Sequence, residues 1–241
     1  MCAAPDALAP GGNRLLVALP PEDYQALRPR LAMVALAARQ QLHEPGTHID
    51  YVYFPVDGVL SLVTTMQDGV AVEIATVGNE GMVGLPVFLG VGASPVRTFC
   101  QVPGHAQRME AEAFRAAVTA HPSLHDLLHR YTQAVINQIA QSAACNRIHS
   151  IEQRCARWLL MTHDRVMVDQ FPLTHEFLAQ MLGVRRATVT ETAGRLQQAG
   201  LITYRQREMT IRDRAGLEAA ACECYGAIRE EYQRLLGIPR G

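Results

Sequence analysis

Residues 171–211 read FPLTHEFLAQMLGVRRATVTETAGRLQQAGLITYRQREMTI, and their pattern predicts two short helices followed by a β-hairpin. Thr174 is a good N-cap with Glu176 in the first turn, and Phe177, Leu178, Met181 and Leu182 fall at helical spacing on one face. Gly183 supplies the freedom a tight turn needs, and Val184 is placed to plug between this helix and the next. The second helix is expected over residues 185–198. Val189, Ala193, Leu196 and Ala199 face inward in that register, whereas Arg185, Arg186, Thr188, Thr190, Glu191 and Arg195 stay outside, within reach of phosphates and base edges. After Gly200, LITYRQREMTI gives two β-like runs around Gln206, Arg207 and Glu208. Arg205 and Arg207 near its turn suit a nucleic-acid backbone. Two helices and a glycine turn alone describe any helical hairpin; the polar outer face and the hairpin behind it make the pattern a winged helix-turn-helix.

Positive charge is concentrated on the same segment. The 241 residues have a net charge of −1, yet residues 151–214 carry ten arginines against seven acids, residues 1–150 nine against twelve, and residues 215–241 three against four. A local excess of this kind points to double-stranded DNA as partner at one end of the chain. All 22 basic residues are arginine. A GC-rich genome explains that, and the bidentate guanidinium suits guanine and phosphate whatever its origin. A chain 49% hydrophobic and 19% charged is globular and long enough for two modest domains. Apolar runs fall short of the ~18 residues that span a membrane, and MCAAPDALAPGGNR lacks the regions of a signal peptide, so no membrane partner and a cytoplasmic location are expected. Six irregularly spaced cysteines read as reduced thiols rather than a disulfide scaffold.

Upstream, residues 1–14 read as a loose tail and LPPEDYQALRPRLAMVAL as a short helix behind Pro20 and Pro21. Between Gln41 and Glu110 the runs VYFPV, VLSLVTTM, VAVEIATV, MVGLPVFLG and VRTFCQV alternate with Gly, Pro and Asp, which predicts an antiparallel β-roll or barrel. From Pro122 the period turns helical. Leu124, Leu127, Leu128, Tyr131, Val135, Ile136, Ile139 and Ala143 spread over more than one stripe, so this helix needs two partners. The candidates are the roll and the same helix of a second subunit, in a parallel coiled coil. A wholly buried helix in a monomer is the competing reading, against which stand the polar Gln138, Ser142 and Asn146, placed on the subunit seam. The expected α+β organisation is an antiparallel β-roll sensor over residues 1–121, a dimerisation helix over 122–150 and a winged-helix DNA-binding domain over 151–241. Residues 213–236 read as one amphipathic helix, capped by Asp213 and packed on the winged helix.

In this order of parts, the chain resembles the Crp/Fnr family of bacterial transcription regulators. The resemblance covers nearly the whole sequence and is tightest over LTHEFLAQMLGVRRATVTETAGRLQQAGLI, where Thr174, Gln180, Gly183, Arg186, Thr188 and Val189 match the family's helix-turn-helix pattern; AFRAAVTAHPSL and the long helix running to Arg154 match as well. It implies a roll like a cyclic-nucleotide-binding domain. It also implies a homodimer whose two recognition helices enter successive major grooves of a palindromic site, about 34 Å apart. By the same resemblance Arg186 reads a base, Thr174, Gln180 and Thr188 hold phosphates, and Arg185, Thr190 and Glu191 flank the contact. RNA polymerase is a further partner if the protein is an activator. The family's common Arg-Glu pair is Arg186 and Ala187 here, and an Arg often found on the next turn is Glu191, so the usual half-site is not expected. Glu191 either accepts from a cytosine amino group or pairs with Arg195 four residues on.

The sensor half departs further. Members that bind cyclic AMP set a Glu on the ribose hydroxyl and an Arg-Ser pair on the phosphate. Here GMVGLPVFLGVGASPVRTF places Gly84, Leu85 and Pro86 at the Glu position and retains only Arg97 and Thr98 of the second motif, while Ile139 and Ala140 stand where a Thr-Ser pair would meet adenine. Burying a ribose hydroxyl or a phosphate without partners costs on the order of a few kcal/mol each. The effector pocket made by these seven residues therefore implies an effector other than cyclic AMP in the usual pose, or no effector. No cofactor or metal is expected. An iron–sulfur sensor of the Fnr kind needs an N-terminal cysteine cluster, whereas Cys2 stands alone before Cys100. His121, His125 and His129 read as a solvated helix start, and Cys222 and Cys224 lack the two further ligands of a zinc site. Cys145 and Cys155, near a hinge at residues 148–152, are candidates for oxidation. His43 and His48 are too isolated for the metal site of a cupin-like roll, so the chain is not expected to be an enzyme. The alternative function is a ligand-responsive signalling module acting through protein contacts rather than DNA.

Overall fold

The computed structural model describes residues 12–237; Cys2 and most of the expected tail lie outside that range. Two short helices, α1 (Arg14–Val17) and α2 (Pro21–Leu27), come first. Asn13 caps α1 by accepting the Leu16 N–H at 3.0 Å, and its amide donates to the carbonyls of Pro55 and Gly81, both at 2.8 Å. After α2 a 3-10 turn containing Pro29 ends the helical path. The helix expected to continue through residues 31–36 is a strand instead, β1 (Ala32–Leu36). Pro29 has no N–H to give, and the five residues of β1 find their partners across a sheet, from Ala32 opposite Arg108 to Leu36 opposite Gly104.

Six more strands complete the expected roll: β2 (Gln41–His43), β3 (Tyr51–Pro55), β4 (Val59–Thr65), β5 (Ala71–Val77), β6 (Arg97–Val102) and β7 (Gly104–Glu110). They form two antiparallel sheets, β1-β7-β3 and β2-β6-β4-β5. MVGLPVFLG is not a strand. It contains the one-turn helix α3 (Leu85–Phe88), because Gly84 takes a left-handed φ of 102° and Pro86 fits a first turn. Val52, Phe54, Val59 and Met109 are buried in the roll and join Phe114 of α4 (Ala111–Ala120) in one core.

The long helix is α5 (Pro122–Ile148), 27 residues. Its inner face, including Leu124, Leu128, Tyr131 and Val135, joins the same core. Gln138 does not lie on a subunit seam. It is 2% exposed, donates to the Thr76 carbonyl at 3.1 Å and accepts the Tyr232 hydroxyl at 2.7 Å. With half-buried Ser142 and exposed Asn146 it lines a narrow cleft against Glu73, Arg157 and Trp158. Buried amides need partners, and here the same chain supplies them. The opposite face leaves His129, Gln133, Ile136, Ala140, Ala143 and Arg147 exposed, at alternating four- and three-residue spacing.

The C-terminal half comprises α6 (Ile151–Val166), β8 (Gln170–Pro172), α7 (His175–Leu182), α8 (Arg186–Gln198), β9 (Ile202–Arg205), β10 (Glu208–Ile211), α9 (Arg214–Ala220) and α10 (Cys224–Leu236). Ser150 and Gln153 form a capping box at the start of α6. The predicted hairpin gains a third strand, in the order β8-β10-β9. The last segment is two helices, not one. Asp213 caps α9 as expected, accepting the Gly216 N–H at 2.9 Å, but the backbone extends at Ala221 and turns before α10. Nor does α10 simply pack on the winged helix: it returns along α5, where Asn137 donates to Glu231 at 2.7 Å and Tyr232 meets Gln138.

The roll and α6 touch directly. Gln101 donates to Thr162 at 3.2 Å, Trp158 Nε1 to Glu73 at 2.7 Å, and Arg165 Nε to Glu80 at 2.9 Å. The Arg165 stem occupies the space beside Gly78, where an added Cβ would come within 2.5 Å of Arg165 Cγ. Among the described residues no helix is long and apolar enough to cross a membrane.

Candidate nucleic-acid interface

The Thr174 hydroxyl accepts the Phe177 N–H at 3.1 Å and so caps α7 as the sequence suggested. Leu178, Met181 and Leu182 are buried, and Phe177 is half-buried. Gly183 ends the helix at a left-handed φ of 64°, and Val184 packs half-buried on the core. Arg185 is the extended N-cap residue of α8, which therefore begins one residue later than expected. Val189, Ala193 and Leu196 face inward as expected. Ala199, also expected inward, is the exposed C-cap, because the helix stops there instead of carrying it over the core. Thr192 takes an inward place that hydropathy did not reveal; its hydroxyl donates to the Thr188 carbonyl at 2.8 Å.

The outer face presents Gln180, Arg185, Arg186, Thr190, Glu191 and Arg195 exposed, with Thr174 and Thr188 half-buried at its edge. Arg186 Nε lies 4.0 Å from Glu176 in an exposed pair. Such pairs contribute roughly 0–1 kcal/mol and are readily exchanged for another anion. The expected Glu191–Arg195 pairing does not form: Arg195 Nε reaches Glu152 at 2.9 Å instead, joining α8 to the start of α6. His175 stacks on Tyr204 at 4.1 Å between ring centroids, with Nδ1 3.0 Å from the Thr190 hydroxyl. Burial, then Arg186, holds this imidazole below its usual range, so it is a neutral prop between the β9–β10 hairpin and α8. Gln206 and Arg207 at the wing turn have φ of 54° and 67°, a two-residue hairpin geometry usually filled by Asn-Gly. Arg205 and Arg207 are exposed. Gln180, Arg185 and Arg186 also line an open cleft of about 720 Å³ with Gly69, Val70 and Ala71, where β4 turns into β5.

The seven effector-pocket residues fall on three elements. Gly84, Leu85 and Pro86 begin α3, Arg97 and Thr98 begin β6, and Ile139 and Ala140 lie on α5. Thr98 is buried opposite Leu62 and His43. Arg97 is half-buried with its Nε lacking a hydrogen-bond partner. Ile139 packs on the core, whereas Ala140 is exposed on the outer face of α5.

The histidine series divides: His121 pairs with Asp23 at 2.8 Å, while His125 and His129 stand edge-on to Phe88. Cys155 is fully buried, and burial pushes its thiol up to about 12, so this oxidation candidate is held as an unreactive thiol. The expectation that Cys222 and Cys224 lack companions is corrected, since Cys145 and His149 lie with them, all four donor atoms within 4.8 Å of one another. Sequence reasoning missed this group, whose signals were the C-x-C spacing of Cys222 and Cys224 and the placing of Cys145 and His149 one turn apart at the end of a helix.

Residues 153–220 match the Crp-like helix-turn-helix domain. The chain has the Crp/Fnr fold. FixK2 from Bradyrhizobium japonicum is similar with a TM-score of 0.68 and 15% identity, over 80% of this chain and 98% of that one. A CRP-family transcriptional regulator from Thermus thermophilus gives 0.66 and 21%, over 78% and 96%. CLP, the c-di-GMP responsive global regulator of Xanthomonas campestris, gives 0.64 and 14%, over 79% and 98%. No curated protein sequence matches the chain. On this Crp/Fnr fold, α7 and α8 are the two helices of the Crp-like helix-turn-helix and β9–β10 the hairpin behind it.

Proposed function

We propose that the protein is a homodimeric, sequence-specific transcription regulator of the Crp/Fnr type that reads a palindromic DNA site with α8. The observation that carries this reading is the exposed polar face of α8, with Arg185, Arg186, Thr190 and Glu191 accessible beside an arginine-bearing wing. A second exposed face supports the dimer. Ile136, 53% exposed, stands with Ala140 and Ala143 at heptad spacing on α5, a stripe that suits a second copy of the same helix. Two-fold pairing there sets two α8 helices toward successive major grooves, about 34 Å apart. Arg186 reads a base edge; Thr174, Gln180 and Thr188 hold phosphates, Thr174 with the hydroxyl proton its capping role leaves over; Arg205 and Arg207 follow the backbone. The effector is not cyclic AMP in the usual pose, because Leu85, Pro86, Ile139 and Ala140 offer side chains unable to hydrogen-bond a ribose or an adenine. RNA polymerase is a partner if the regulator activates, and the cytoplasm is its place of action.

The test is selection of binding sites from random duplexes with and without cyclic AMP, together with sedimentation of the free protein. A dimer and a palindromic consensus unchanged by cyclic AMP are expected. Ile136→Glu should give monomers, and Arg186→Ala should relax one position of each half-site at a cost of about 1–3 kcal/mol. A monomeric wild type, or selection without any consensus, overturns the reading.

A further inference from the structure

We propose that Cys145, His149, Cys222 and Cys224 form a four-coordinate site for a single zinc ion at the joint between the long helix and the DNA-binding half. The donor atoms converge from two places. Cys145 lies in the last turn of α5 and His149 is its C-cap residue, while Cys222 and Cys224 flank the start of α10. Cys145 Sγ is 3.5 Å from Cys222 Sγ, and His149 Nδ1 is 3.5 Å from Cys224 Sγ. Zinc bonds of ~2.3 Å to sulfur and ~2.0–2.1 Å to nitrogen in a tetrahedron give edges of about 3.8 Å and about 3.5 Å respectively. These two pairs therefore stand within a few tenths of an ångström of ligating positions. All four donor atoms lie within 4.8 Å of one another, so small side-chain shifts bring them onto one ion. Three thiolates and an imidazole select zinc over magnesium or calcium, and a closed set of four protein ligands is the pattern of a structural site.

The surroundings support the same reading. His149 Nε2 lies 3.1 Å from the Glu223 carboxylate, which holds the ring proton on Nε2 and leaves the Nδ1 lone pair directed at the thiols. Gln141 Nε2 donates to Cys224 Sγ at 3.0 Å, the kind of N–H contact that supports a metal-bound thiolate. Cys145, Cys222 and Cys224 are all buried, so the ion would be shielded from water. On binding, each of the three thiols gives its proton to solvent, and the zinc–thiolate group carries one net negative charge. Arg157 lies in the electrostatic field of Cys145, and Arg154 in that of Cys145 and Cys222; both keep a buried Nε without a hydrogen-bond partner. Occupied, the site ties α10 to α5 across residues 149–150, the joint from which α6 leaves toward α8. Zinc thereby sets the angle at which the recognition helix is carried.

Full-chain protein, reduced and stripped with a chelator, is titrated with cobalt(II). Expected are thiolate-to-cobalt absorption in the near ultraviolet and the strong red bands of a tetrahedral ion, saturating at a single equivalent and bleached by zinc. The double variant Cys222→Ser/Cys224→Ser should lose both signals, and the wild type alone should gain melting temperature on adding zinc. Cys100→Ala, in β6, should keep them. Octahedral cobalt bands in the wild type, equal zinc uptake by the double variant, or a Cys145–Cys222 disulfide that persists under reductant would each overturn the proposal. The titration contains no DNA, so a failed site selection and a failed metal site are told apart.

Discussion

Glu73 and Glu80 sit seven positions apart, both bridge the roll to α6, and they end in opposite electrostatic settings. Glu80 meets a guanidinium. Arg165 Nη2 is 2.7 Å from its carboxylate, and the same guanidinium donates to the Met161 carbonyl at 2.6 Å and the Thr76 carbonyl at 3.3 Å. Burial is the largest single influence and works against the Arg165 charge, but Glu80, Tyr232 and Asp164 together outweigh it and hold the group above its usual value. Glu73 contacts only neutral groups, Ser61 Oγ and Trp158 Nε1, each at 2.7 Å. Burial pushes its carboxyl up to about 7, against the pull of those two donors and of Arg165 and Arg157 farther off. Proton counting agrees. Ser61 Oγ also lies 2.8 Å from Gln101 Oε1, and one hydroxyl proton cannot serve two acceptors. A proton on Glu73 completes the chain. One bridge is fixed by charge and the other is set by protonation.

The largest effect expected from this contrast is at Arg165. Arg165→Met leaves Glu80 buried without its cation and should cost about 3–5 kcal/mol in urea unfolding. Adding Glu80→Gln should recover a substantial part. If the single variant loses less than about 1 kcal/mol, the charged bridge is no firmer than a surface pair. Next comes Gly78→Ala, which drives a methyl into the Arg165 stem and should cost about 1–3 kcal/mol without altering the pH profile. Glu73→Gln tests the other bridge. Its folded carboxyl lies above the ordinary 4.5, so the stability it contributes is complete below about 4.5 and is lost as pH rises through about 7. Between those values stability should fall by at most about 1.4 kcal/mol per pH unit, and the glutamine variant should lose that slope. Trp158 is the only tryptophan, so its fluorescence reports the contact directly. A slope unchanged in the variant assigns the titration elsewhere. The smallest effect is Ser61→Ala, about 1 kcal/mol, with the Trp158 signal titrating at higher pH because a donor to the ionised carboxylate is gone.

The helix-turn-helix was legible because its determinants are local. Thr174 caps, Gly183 turns, and Val189, Ala193 and Leu196 keep the helical period. The roll was legible as a class, though residues 32–36 and 85–88 changed type where Pro29, Gly84 and Pro86 redirected the backbone. What local pattern does not carry is long-range pairing. Cys145 meets Cys222 across 77 positions and Glu73 meets Trp158 across 85, and nothing beside either half of a pair points to its partner. Gln138 was misplaced for the same reason: its partners, Thr76 and Tyr232, arrive from β5 and α10.

The wing turn carries a last consequence. Gln206 and Arg207 both hold the left-handed backbone that costs a non-glycine residue roughly 1–2 kcal/mol, and glycine in second place would relieve much of it. An engineer seeking thermostability would choose that replacement first. The firmer hairpin would have exchanged a guanidinium for a hydrogen atom at the tip, so under the proposed function heat resistance and grip on a polyanion are opposed at position 207.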